Sequence, residues 1–454
     1  MTREIVLDRC ARDDSFLHEE QSMWISTRSS LAAATLLVAV FARDARSQGV
    51  QSQATAKEQR SDTATKARPT QAQLDSAIQI EVYGFAQSDA ISDFGTTDPN
   101  WFDVNRPSKL PASPDQYGKN GHMWASARQS RFGARGTVPT FGPDIKFVFE
   151  WDLFGVGPDA GQMTIRPRHM YGQWGAFGAG QTNTPFMDVD VFPNILDYWG
   201  PNGMLFFRNV QIFWQPIRSS NGTRVTFALE RPGASADAGQ FADRIELQNI
   251  EGRFPAPDLS GEWRIGGNFG YVKLGGMLRY MAWDDLYPDT LDLSGHAVGW
   301  GLSLSSGLKL GQNDLLHLLT IYGAGVENYF NDAPVDVGAK LQPGNKLTPI
   351  TGQALGDFGL VTYLDHNWNS QFATSIGYSR VDITNSNGQA ATAFRDGQYG
   401  SVNLIWTPVQ RVMFGGEFQW ARRENFGGGY TFDDYRLQFS LKYSFSQVFG
   451  GKPL

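Results

Sequence analysis

The sequence predicts an all-β chain, a sixteen-stranded antiparallel transmembrane β-barrel with short periplasmic turns, long extracellular loops and a third loop folded inward. Strict two-residue alternation, a regular succession of short and long connections, and composition carry this reading. In RLQFSLKYSF, Arg436 to Phe445, every second residue is large and apolar: Leu437, Phe439, Leu441, Tyr443 and Phe445. On a helix residues 439 and 443 would lie about 200° from the 437/441/445 set, so no single apolar face would form. The 454 residues are 41% hydrophobic, low for a globular core, yet 13% aromatic with 50 glycines. That balance suits short strands and tight turns. No run reaches the roughly 18 apolar residues of a membrane-spanning helix. The net charge of −7 argues against nucleic acid as a partner.

The elements follow in order. Residues 1–22 hold Asp8, Asp13, Asp14, Glu19 and Glu20, which is wrong for the start of an export signal, so they are read as an untranslated or misassigned leader. From Met23 the chain has Arg28, the apolar run LAAATLLVAVF (Leu31 to Phe41) and a small-residue site at Val40-Phe41-Ala42. Residues 23–42 therefore read as a signal peptide. The only cysteine, Cys10, precedes it, leaving the exported chain free of cysteine. Residues 43–77, rich in Gln, Ala, Thr and Ser without an apolar period, read as a flexible or weakly helical periplasmic segment. Residues 78–454 form the barrel.

Within the barrel the alternation recurs. In KFVFEWDL, Lys146, Glu150 and Asp152 oppose Phe147, Phe149, Trp151 and Leu153; in RVTFALE, Arg224, Thr226 and Glu230 oppose Val225, Phe227 and Leu229. Lys273 and Arg279 oppose Val272, Leu274, Leu278 and Tyr280, and Arg411, Glu417 and Gln419 oppose Val412, Phe414, Phe418 and Trp420. Short joints at 138–143, 175, 217–222, 268–270, 310–313, 367–369 and 408–409 alternate with long ones at 95–121, 155–161, 182–204, 231–253, 285–296, 327–356, 383–394 and 423–430. Seven turns and eight loops give sixteen strands. At about 9–11 residues per span these need only about 160 residues, and the rest is loop. A soluble β-sandwich has no reason to keep its long loops on one side. The apolar face therefore meets outer-membrane lipid, and Trp151, Trp174, Trp214, Trp406, Trp420 and Tyr443 fall where interfacial girdles form.

RQSRFGARG (128–136) is similar to trimeric outer-membrane porins. The run RHMYGQWGAFGAGQTNTPFMDVDVFPNILDYWGPNGMLFFRNVQ (168–211) and ALERPGASAD (228–237) resemble the DcaP-like porins, a likeness that covers the chain from Ile80 onward. The resemblance implies a homotrimer in the outer membrane of a Gram-negative bacterium, with the third loop in the pore and small anions, dicarboxylates among them, as permeant solutes. Two features depart from it. Residues 43–77 lack good heptads where the family often carries a coiled coil. The chain also runs past Phe445 as SQVFGGKPL, putting Phe449 where barrels usually end on an aromatic residue.

The pore chemistry rests on two groups of residues. Loop 182–204 carries Asp188, Asp190, Asp197, Tyr198, Trp199 and the turn Gly200-Pro201-Asn202-Gly203. Folded inward, it would set carboxylates across the lumen from a basic wall; lying on the rim, it would leave them solvated. The wall candidates are Arg131, Arg135, Lys146, Arg166, Arg168, Arg224, Arg264, Lys273, Arg279, Arg411, Arg436 and Lys442. These twelve bases face five acids (Glu150, Asp152, Glu230, Glu262, Glu417), against the sign of the whole chain. Such a lumen concentrates anions, unless the arginines pair with acids of the loops. Inner-face Gly133, Gly275 and Gly415 point to open space and away from a plugged adhesin or purely structural barrel. No enzyme motif, metal-ligand spacing or cofactor signature is present. His169, the only histidine in a strand near polar groups, has no nucleophile beside it. The competing readings are a general or sugar-permeable porin without anion preference and an outer-membrane hydrolase barrel.

Overall fold

The computed structural model describes residues 70–451. The leader, the signal peptide and all but the end of the polar segment lie outside the described residues. That segment ends in a short helix, α1 (Gln71–Ser76), closed by reciprocal capping: Thr70 Oγ1 accepts from the Gln73 amide at 3.3 Å, and Gln73 Oε1 accepts from the Thr70 amide at 2.8 Å.

The barrel runs through β1 (Gln79–Asp93), β2 (His122–Ser126 and Arg131–Val138), β3 (Ile145–Phe154), β4 (Met163–Trp174), β5 (Phe177–Asn183), β6 (Arg208–Arg218), β7 (Arg224–Glu230) and β8 (Ile250–Arg253 and Asp258–Gly267). It continues through β9 (Gly270–Asp285), β10 (Gly295–Leu310), β11 (Asp314–Ala324), β12 (Gly356–Asn367), β13 (Phe372–Thr384), β14 (Phe394–Val409), β15 (Val412–Asn425) and β16 (Thr431–Gly450). The sheet's eighteen hydrogen-bonded segments make sixteen strands, because both halves of β2 pair with β1 and both halves of β8 pair with β9. β1 and β16 close the ring from Gln79↔Gly450 to Asp93↔Arg436, so no edge remains. Phe449 sits inside this seam opposite Ile80. All seven short turns and all eight long loops fall where the sequence places them, to within a few residues. The loops are L1 (94–121), L2 (155–162), L3 (184–207), L4 (231–249), L5 (286–294), L6 (325–355), L7 (385–393) and L8 (426–430).

Burial is inverted relative to a soluble protein. In β16, Phe439 is 60% exposed while Arg436, on the opposite face, is 1% exposed. The exposed apolar side chains form the lipid face, and Trp174, Trp214, Trp406 and Tyr443 stand out from it near the short turns. Stacked contacts of Phe177 and Phe227 with Trp214, and of Phe372 and Phe414 with Trp406, extend that girdle along its rim.

The true hydrophobic core lies inside the barrel and on one side of it. Leu319, Ile321, Val361, Tyr363, Val381, Ile383, Tyr399 and Ala421 project inward from β11–β15. Phe186, Met187, Val191, Met204 and Leu205 of L3, with Val326, Tyr329 and Phe330 of L6, pack onto them. Above this, Val337–Leu341 and Ile350–Ala354 of L6 form a small sheet with Ala236–Asp237 of L4.

Candidate functional site

L3 leaves β5, crosses the barrel and is fastened to the far wall. The Leu196 and Asp197 amides donate to the Glu417 carboxylate of β15 at 2.7 and 3.1 Å. Asn403 of β14 donates to the Asn194 carbonyl at 2.8 Å, Gln438 of β16 to the Leu196 carbonyl at 3.1 Å, and Ser305 of β10 to Asp188 at 2.5 Å. Lys273 of β9 donates to the Met187 carbonyl. These bonds occupy polar groups that burial would otherwise orphan, so the loop has one seat. The inner-face glycines, expected to leave open space, make room for this loop: a Cβ on Gly415 would sit 2.7 Å from Leu196, and one on Gly275 would sit 2.8 Å from the Phe186 carbonyl. A Cβ on Gly133 would instead meet the Phe149 carbonyl at 2.7 Å and the Tyr83 ring at 3.1 Å.

The other end of L3 reaches the wall of β3 and β4. Tyr198 donates its hydroxyl to Asp152 and accepts from Arg166 at 2.7 Å and Arg168 at 2.5 Å. Arg168 also pairs with Glu150 and Asp152, each at 2.8 Å, and Arg166 with Asp152 at 2.7 Å. Arg131 lies 3.6 Å from Glu150, and its Nε is buried with no hydrogen bond among the described residues. Trp199 packs edge-on against Trp101 of L1, and the Arg106 guanidinium lies 4.0 Å from the Trp101 ring and 4.6 Å from the Trp199 ring.

The three acids of L3 separate in role. Asp190 is half exposed and meets Arg264, with Arg224 at 3.8 Å, so it faces the basic wall of β7 and β8. Asp188 is buried behind it, 4.0 Å from Arg264. Asp197 faces the opposite way, accepting from the Asn105 and Trp199 amides beside Glu417. Burial, with the Glu417 charge added, pushes its carboxyl up to about 7.

The twelve expected wall bases also divide. Nine form ion pairs, Arg135 with Glu81 at 2.7 Å and Arg224 with Glu262 at 2.8 Å among them. Lys273, Arg279 and Arg436, each 1% exposed, are closed off from the lumen and act as posts. Lys273 holds Glu262, Arg279 joins Asp258 of β8 to Asp336 of L6, and Arg436 joins Asp93 to Asp434. The wet face of a strand is lumen-facing only where no loop covers it, and loops cover these positions. Lys146, Arg411 and Lys442 make no ion pair among the described residues. His169 bonds Thr182 at 3.1 Å, a structural contact.

One base escaped the sequence reading. Arg208 opens β6 on the parity of lipid-facing Val210, Ile212 and Trp214, so alternation assigned it outward. At the strand end the chain is still leaving L3, and its guanidinium lies 4.8 Å from the Phe206 ring that Arg168 approaches at 6.0 Å. Its Nη1 is buried without a hydrogen-bond partner among the described residues. The signal that could have found it is its place beside L3, where parity loses force.

A closed sixteen-stranded barrel with an apolar outer face, short turns on one rim, and a charged lumen crossed by its third loop is an outer-membrane porin. The sequence matches the DcaP outer membrane protein family over residues 45–439, and the chain belongs to that family. Its structure is similar to that of the outer membrane channel DcaP of Acinetobacter baumannii, with a TM-score of 0.66 and 18% identity over 83% of this chain and 99% of that one. It is also similar to the anion-selective porin from Comamonas acidovorans, with a TM-score of 0.52 and 10% identity over 81% of this chain and 100% of that one. No curated protein matches the sequence. The chain thus resides in the outer membrane of a Gram-negative bacterium, and its fold and family are those of a channel.

Proposed function

We propose that the protein is a homotrimeric porin through which small hydrophilic anions, dicarboxylates among them, diffuse passively. The arginine cluster facing Tyr198 carries this reading. Arg131, Arg166, Arg168 and Arg208 surround only two carboxylates, Glu150 and Asp152, so two positive charges stand in excess beside the inward loop. In a lumen walled by low-dielectric protein, uncompensated cations raise the local concentration of anions. Lys146, which has no ion pair among the described residues, extends the positive wall toward the short turns beside the Arg135–Glu81 pair, while Asp190 with Arg224 and Arg264 supplies the transverse pairing. The same fold carries an anion-selective porin in Comamonas acidovorans. Trimer assembly rests on the family.

The ion pairing of nine of the twelve bases favours a second reading, a general or sugar-permeable porin without charge preference. A reversal potential under a potassium chloride gradient in planar bilayers decides between them. The arginine cluster predicts chloride over potassium, whereas a potential near zero leaves the general porin standing.

A further inference from the structure

On the turn side of L3 lies a cavity of about 270 Å³, bounded by residues 194–196 of the loop, the β14–β15 turn and the later half of β16. Its polar wall is Arg411, Lys442, Thr407, Ser444 and Asn194, and no carboxylate lines it. Lys442 and Ser444 alternate with lipid-facing Leu441, Tyr443 and Phe445, so they point inward. Neither cation makes an ion pair among the described residues, and Lys442 has only the Phe85 ring, 5.3 Å away. Asp89, the acid nearest along the seam, is already occupied by Gln87, Gln129, Gln438 and Ser440. Arg411 has φ 76, a left-handed conformation that a tight hairpin normally gives to Gly or Asn. An arginine held there, its carbonyl bonded by the Ser444 amide at 2.8 Å, puts a cation at the cavity mouth despite the backbone cost. The facing wall is apolar: Ile195 and Leu196 from L3, Ile405 and Met413 from the strands.

We propose that this cavity is a second, discrete anion site on the periplasmic side of the constriction, taking a short aliphatic carboxylate. Two unpaired cations and two hydroxyls receive the carboxylate, and the four apolar side chains cover its hydrocarbon. The site rests on the reading that anions enter the lumen, yet its occupancy is measurable without any current. It lies on the far side of L3 from the Tyr198 contacts, so an anion leaving the arginine cluster meets it before the periplasm.

The test is succinate binding to the detergent-solubilised trimer, read by ligand NMR line broadening, with phosphate as comparator. The wild type should bind succinate more tightly than phosphate, and the pair R411Q/K442Q should weaken succinate at least tenfold. Met413→Gln, which keeps both cations, should narrow the preference for succinate over phosphate. Circular dichroism and the heat-dependent gel shift confirm that each variant is folded. In bilayers, succinate added on the turn side should reduce chloride current in the wild type and fail to do so in the pair. Unchanged succinate binding in folded R411Q/K442Q, or phosphate bound as tightly as succinate by the wild type, overturns the site. A wild type without anion preference that still loses succinate with the pair overturns the conduction reading alone.

Discussion

At the scale of single residues, Arg208 and Gly203 are the informative positions. Arg208 adds a cation to a cluster whose acids are already shared among three arginines. A unit charge about 7 Å from an ion path contributes ~0.6 kcal/mol in a water-like dielectric, about threefold in occupancy. Because the charge favours one ion and disfavours the other, Arg208→Gln should lower the chloride-to-potassium permeability ratio by up to about eightfold, read as a shift in reversal potential. Gly203 matters for a steric reason. A methyl group there would press on the Arg380 carbonyl oxygen of β13 and lie 2.8 Å from the Leu360 carbonyl oxygen. Gly203→Ala should loosen the seat of L3 by about 1–3 kcal/mol, as overpacking does, and appear as larger, noisier single-channel conductance. The sequence showed Gly203 as part of a turn. It could not show that the turn lies against a second backbone, because that contact spans much of the chain.

At the scale of elements, the seat of L3 is a protonation-dependent joint. Asp197 has its folded pKa raised from 3.8 to about 7 by burial and by Glu417. The sign follows: stabilisation by its neutral form is complete below about pH 4 and is lost as pH rises through about 7. Thermal melting in detergent should occur at lower temperature at pH 8.5 than at pH 5.5, and Asp197→Asn should flatten that difference. Inward folding of the loop was readable only as a possibility, since its acids could equally have been solvated on a rim. The physical reason is visible in β11–β13. Stretches such as LLHLLTIY carry apolar residues on both faces, and an inner apolar face in a water-filled barrel requires a cover. L3 and L6 are that cover.

At the scale of the whole molecule, the strand count and the lipid face were legible because alternation and connection length are local signals. The division of the basic wall was not. Whether a cation meets water or a carboxylate depends on loops packed from elsewhere, as Arg279 shows by bridging β8 to L6. The intact protein should give a strand-dominated circular dichroism spectrum in detergent. It should also migrate faster unheated than boiled on a denaturing gel, as a closed barrel without edges resists detergent. Native mass in mild detergent should be three times that of the chain, and a monomer would remove the trimer proposal while leaving the barrel.

The lopsided interior also fixes an order of events during assembly. L3 is made early in the chain, yet its anchor on β15 is far downstream: Leu196 and Glu417 are 221 residues apart. Contacts of such separation form late, because the intervening chain must first be ordered. Until β14–β16 are in place, the Leu196 and Asp197 amides lack Glu417 and the Asn194 carbonyl lacks Asn403, and the apolar side of the loop has no complete wall to cover. A ring without its final strands therefore leaves L3 without the bonds that fasten it to the far wall. The seat of L3 is thus the part of the interior that needs the whole ring, and it should be the first to give way when the final strands loosen.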